Sequence, residues 1–203
     1  MITLFSLGIL SQVIVAIVSG VTLTKFKLSF SRFLFLFLLI TAFIEVYCFF
    51  LLRKEKPTFI FHHIYSFIEY SLIFWMYLKL IKEKKWLILP KLLWAVIVIL
   101  WLIVFFYRNI FSYLIILGSI NVAIVLLLYL RGVLLSDEIL NYKKMLPFWV
   151  SVGFLVFYLP SIPFFSLLKY IKSRGIFSVL SVLIILRSLF ISFGLIWSKE
   201  EKY

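Results

Sequence analysis

Acidic residues are scarce in this chain. Against 21 Lys and Arg it sets only 8 Asp and Glu, and charged residues together make up 14% of its 203 positions. A water-soluble domain is about a quarter charged and about half apolar. Here 65% of residues are apolar, 20% are aromatic and the mean hydropathy is +1.19, which excludes water as the main solvent. A single cysteine excludes an internal disulfide framework, and two histidines, adjacent at His62 and His63, exclude a Cys/His zinc pattern. No HExxH, GxSxG or phosphate-cradling glycine loop is found, so no catalytic residue, metal or cofactor is assigned. Cys48 reads as an inert buried thiol. The net charge of +13 would suit a nucleic-acid binder, but the basic residues sit in short clusters between long apolar runs, so no direct nucleic-acid contact is expected.

What the chain does have is apolar length. A helix needs about 20 mostly apolar residues to cross the ~30 Å hydrocarbon core of a bilayer. Seven runs meet that length: 2–23, 33–52, 59–81, 86–106, 110–130, 147–168 and 176–197. Only Tyr107-Arg108-Asn109 separates the fourth run from the fifth, yet fusing them would require one helix about twice as long as the bilayer is thick. The expected fold is therefore an all-α membrane protein with seven transmembrane helices in a single polytopic domain. Met1–Leu23 lacks the basic start of a signal peptide and its apolar stretch is longer than the usual one, so it counts as a span. Between spans five and six, Ser136 precedes Asp137-Glu138 and Lys143-Lys144 follow. That charge order suits the dipole of a short interfacial helix, about 136–145, capped by Ser136.

Lys and Arg are retained on the cytoplasmic side. The loops that follow the odd-numbered spans, with the C-terminus, hold 13 of them, namely Lys25, Lys27, Arg32, Lys79, Lys82, Lys84, Lys85, Lys91, Arg131, Lys143, Lys144, Lys199 and Lys202. The other loops hold 7, namely Arg53, Lys54, Lys56, Arg108, Lys169, Lys172 and Arg174. The N-terminus is thus expected outside and the C-terminus in the cytoplasm.

Only three charged residues lie deep within spans: Glu45, Glu69 and Arg187, at roughly 10, 15 and 16 Å from the outer ends of their helices. Asn121 falls at a similar depth. A charge at a helix centre costs roughly 2.5–3.5 kcal/mol, so these groups should face one another or water. Arg187 can fork onto one carboxylate, which leaves the other to be protonated, hydrogen-bonded, or held ionised by a ligand cation. His62, Tyr65, Ser66 and Glu69 are spaced i, i+3, i+4, i+7 and form one stripe from the outer surface to the midplane, whereas His63 projects about 100° away and is expected at headgroup level. Pro160 and Pro163 should bend span six, and the carbonyls they free are expected to meet Arg187 or Asn121.

Glu45, the block His63-Ile64-Tyr65-Ser66-Phe67-Ile68-Glu69-Tyr70, and Pro147-Phe148-Trp149 followed by Gly153 and Tyr158 resemble features of a group of seven-helix membrane proteins common in Bacteroidota genomes. The resemblance implies seven helices and a bacterial inner membrane, and it brings no activity. From the residues themselves, Glu45, Glu69, Asn121 and Arg187, with Tyr65 and His62 above them, form a candidate site for a small molecule or ion to bind or be transported. The alternative is a non-catalytic accessory or regulatory membrane protein, for example in signalling or a CRISPR-associated phage-defence module. Its cytoplasmic protein partner would dock at Lys79, Lys82, Lys84 and Lys85.

Overall fold

The computed structural model describes residues 2–26, 29–167, 170 and 177–199. Every regular element among them is helical. Seven α-helices follow in order: α1 (Ile2–Thr22), α2 (Ser29–Arg53), α3 (Phe59–Leu78), α4 (Ile88–Phe106), α5 (Phe111–Leu134), α6 (Leu146–Leu167) and α7 (Phe177–Trp197). Of these, α1, α2, α4, α5, α6 and α7 lie in stretches long and apolar enough to cross a membrane. A helix closes its own backbone hydrogen bonds, which is what a hydrocarbon solvent demands. The exception, α3, is long enough, because 20 residues at 1.5 Å each reach about 30 Å. Its composition sets it apart, with two histidines, a glutamate, three tyrosines and two serines within Phe59–Leu78.

The helix limits differ from the sequence reading in informative places. Helix α2 begins at Ser29, so Arg32 lies within it. Helix α5 runs on to Leu134, and Arg131 reaches back from it over the Trp86 ring (5.1 Å) and towards Glu83 (3.7 Å). A long cationic side chain can in this way sit on an apolar helix while its head finds polar company. Tyr107, at φ −120° and ψ 79°, breaks the chain between α4 and α5. After α5, Asp137–Lys144 forms a 3₁₀ helix rather than an α-helix, and Ser136 does not cap it. Instead the Ser136 hydroxyl donates to the Val133 carbonyl at the end of α5 (3.0 Å), which also accepts the Ser136 backbone N–H (3.3 Å). The ends of the sixth and seventh expected spans at Leu168 and Ile176, and the charges Lys27, Lys169, Lys172, Arg174 and Lys202, lie outside the described residues.

Helices α1, α2, α3, α5, α6 and α7 pack in that cyclic order into a ring, and α4 lies outside it in the groove between α3 and α5. The location of α3 in the ring explains how it carries its polar residues, since Tyr65, Ser66, Tyr70 and Tyr77 are all buried. Close contact between α6 and α7 depends on Gly153, where a Cβ would come within 3.1 Å of both the Arg187 carbonyl and Ile191. Small residues at such crossings let backbones approach where no hydrophobic drive exists between lipid-solvated helices.

The chain enters the ring at one end, here called proximal, and α7 finishes at the other, distal end. The centre of the ring is closely packed in the distal half. Val125, Leu126, Val150 and Leu146 are fully buried there, the Tyr77 ring meets those of Phe30 and Tyr129 edge-on, and the Tyr77 hydroxyl is paired with that of Ser151 at 2.8 Å. The proximal half is not filled in this way.

Candidate functional site

A cavity of about 360 Å³ occupies the proximal half of the ring. All six ring helices contribute to its wall and α4 does not. The polar stripe of α3 lines it, because residues at i, i+3, i+4 and i+7 of a helix share a face: His62, Tyr65, Ser66 and Glu69 all contribute. Glu45 joins them from α2 and Arg187 from α7.

Two glutamates meet one arginine here, and the structure assigns them unequal partners. Glu69 Oε1 lies 3.8 Å from Arg187 Nη1 and accepts a hydrogen bond from the Tyr158 hydroxyl at 2.7 Å. The bidentate fork expected for Arg187 is absent, because 3.8 Å is beyond the 2.7–2.9 Å typical of a charge-assisted hydrogen bond. Instead the guanidinium lies over the Phe157 ring at 4.6 Å, and among the described residues its Nε has no hydrogen-bond partner although the residue is 3% exposed. No ion pair or hydrogen bond of the Glu45 side chain is found among the described residues. The surplus carboxylate is therefore Glu45.

Hydroxyl groups complete the polar lining. Tyr65 is paired with Thr41 (2.8 Å), and Ser119 with Ser161 (3.1 Å). The Tyr70 hydroxyl donates to the Ile115 carbonyl at 3.4 Å, and the tip of its ring lies against Gly118, where any Cβ would overlap it. Gln12 enters from α1, is 2% exposed, and its Oε1 is unpartnered.

Two expectations fail for a common reason. Asn121 is not in the cavity. Its amide donates to the Leu93 carbonyl of α4 at 3.3 Å, because two residues beyond Ser119 a helix has turned by about 200° and points outward. His63, expected at headgroup level, is enclosed by protein. It is 3% exposed and stacked between Phe59 (5.7 Å) and Trp101 (4.9 Å), with neither ring nitrogen hydrogen-bonded. Its neighbour His62 faces the ring interior, while His63 faces α4. Nor do Arg187 and Asn121 serve the carbonyls freed by the prolines of α6: Asn121 bonds the Leu93 carbonyl, and Arg187 donates no hydrogen bond to α6 among the described residues.

Sequence reading missed Gln12, Thr41, Tyr158, Ser119 and Ser161 as cavity residues. Gln12 was within reach of the depth argument, for it stands about 15 Å into an apolar run. Serine, threonine and tyrosine give no such signal, as they can bond their own helix or sit at interfaces anywhere along it. Comparison of the chain with protein-family models, curated proteins and solved structures returned no match.

Proposed function

We propose that this chain is a multi-pass protein of the bacterial inner membrane that binds a small molecule or ion in the central cavity, as a transporter or a ligand sensor. All seven helices cross the bilayer in this reading, with the N-terminus outside and the cavity in the outer half. The observation that carries it is the meeting of Glu45, Glu69 and Arg187 in one cavity of about 360 Å³. A volume of that size lies within the range of small-molecule sites. Charged groups inside a membrane domain are expensive, which makes an inward-facing cluster of them a functional-site candidate.

A screen of small organic fragments against the purified protein in nanodiscs, read as shifts in melting temperature, tests the reading. Fragments that stabilise the protein should lose their effect when Ser161→Phe fills the cavity. Stabilisation that persists in the filled variant would locate binding elsewhere. Orientation is tested by cysteine labelling on a Cys48-free background. Lys56→Cys and Lys172→Cys should label from outside, and Lys84→Cys and Lys144→Cys only after permeabilisation.

A second reading, docking of a cytoplasmic protein, draws on the exposed run Lys79, Lys82, Lys84 and Lys85 at the distal end. Co-purification lost on neutralising Lys82, Lys84 and Lys85 together would support it.

A further inference from the structure

We infer that the ligand of the central cavity is a small organic monocation, an ammonium, received by the Glu45 carboxylate and the Gln12 amide oxygen. The inference rests on the binding role proposed for this cavity and adds the charge and class of what binds.

Charge balance is the first ground. Glu69 is engaged by Arg187 and Tyr158, and Glu45 has no such partner among the described residues. With both carboxylates ionised, the cavity holds two negative charges against one positive, and a ligand of charge +1 closes the balance. A desolvated carboxylate left uncompensated is costly and would otherwise be held neutral, so a ligand of charge +1 gains a contact with ionised Glu45 that a neutral one does not. Gln12 is an independent second ground. It is almost wholly buried on the cavity wall and its Oε1 accepts nothing. A buried acceptor without a donor carries a desolvation cost that an N–H of the ligand removes.

The walls fit the same ligand. Phe111, Phe157, Phe165 and Phe177 line the cavity, and aromatic faces attract organic cations. A bare metal ion is a poorer fit, because hard cations take six or more oxygen ligands and no group of three carboxylate, thiol or imidazole side chains converges among the described residues. An anion fares worse. The unpartnered Nε of Arg187 is a donor, but the guanidinium already faces Glu69 and the Phe157 ring, and an anion there would sit beside two carboxylates.

The test uses the full chain in nanodiscs with ligands that share a skeleton and differ in charge: phenethylammonium, 2-phenylethanol and phenylacetate, and isopentylammonium, isopentanol and isovalerate. Dissociation constants come from calorimetry at neutral pH. On at least one skeleton the ammonium should bind about tenfold or more tighter than the alcohol, with the carboxylate weakest. Glu45→Gln should remove the ammonium advantage, with a melting temperature that shows the variant is folded, while Glu45→Asp should keep most of that advantage. An ammonium no tighter than its alcohol, or an advantage that survives Glu45→Gln, overturns the inference and leaves the cavity reading standing. If none of the six binds, the inference is also lost, and the fragment screen against Ser161→Phe decides the cavity reading on its own.

Discussion

The two halves of the ring solve the problem of polar groups in an apolar solvent differently. In the distal half of the ring, buried hydroxyls between helices are paired, although Ser198 Oγ after α7 and Trp86 Nε1 beside α4 have no hydrogen-bond partner among the described residues. Tyr77 meets Ser151, the Ser151 hydroxyl also reaches the Pro147 carbonyl at 2.7 Å, and Lys25 donates to the last carbonyls of α7 at 2.9 and 3.3 Å. A cation at that terminus is favoured by the helix dipole. In the proximal half more stays open around one cavity: among the described residues Glu45 has no ion pair or hydrogen bond, and Gln12 Oε1 and Arg187 Nε have no hydrogen-bond partner. Paired hydroxyls hold helices together, whereas unpaired groups around a cavity are poised for something from outside. The difference separates a scaffold from a site within one small bundle.

That contrast can be broken by substitution. The largest effect is expected at Arg187. Arg187→Leu strips Glu69 of its counter-ion and should cost about 3–5 kcal/mol, seen as a drop in melting temperature in nanodiscs. Because Glu69 is the paired carboxylate, adding Glu69→Gln should recover most of the loss, and adding Glu45→Gln should not. Equal rescue by both would erase the distinction between the glutamates, and an Arg187→Leu protein that melts like wild type would mean that the ion pair does not matter to the fold.

Next in size is the contact of Tyr70 with Gly118. Gly118→Ala forces the ring tip of Tyr70 out of its seat and should destabilise by about 1–3 kcal/mol. Removing the phenol in the double variant Gly118→Ala/Tyr70→Ala should make the alanine nearly neutral at Gly118, which a double-mutant cycle measures. If the cycle is additive, the two residues are not in contact.

A smaller effect is expected in the scaffold. Tyr77→Phe removes one neutral hydrogen bond and should cost about 1 kcal/mol, with ligand binding unchanged because Tyr77 lies outside the cavity. Altered binding in Tyr77→Phe would show that the two halves are coupled. The smallest loss of stability is expected at Glu45. Glu45→Gln breaks no ion pair and relieves an uncompensated charge, so the ligand-free protein should melt no lower than wild type, while the substitution has the largest effect on the binding of a cation. A strongly destabilised Glu45→Gln protein would show that this carboxylate belongs to the scaffold after all.

Much of the site was legible along the chain because its clues are local. The stripe His62, Tyr65, Ser66 and Glu69 follows from helical repeat, and Glu45 and Arg187 stand out because nothing charged lies near them in their apolar runs. Asn121 was misjudged by the same rule. Depth in a helix can be counted from its end, but the direction a residue faces depends on which neighbour lies there. His63 was misjudged because its neighbour α4 is an aromatic wall, with Trp101 on it and Phe111 just beyond on α5.

Composition and periodicity by themselves determined that this protein is helical and rich in runs that suit a membrane; they counted seven such runs, and among the described residues six helices prove long and apolar enough, with α3 the polar exception. These properties depend on hydrophobic length and on the repeat of a single helix, and both are written in consecutive residues. The tertiary structure alone decided that the ring closes without α4, that Glu69 and not Glu45 takes Arg187, and that Tyr158 and Gln12 belong to the cavity. Those outcomes depend on which faces of six helices turn inward together, and pairing at distances of 2.7 to 3.8 Å is settled only when residues far apart in the chain are packed side by side.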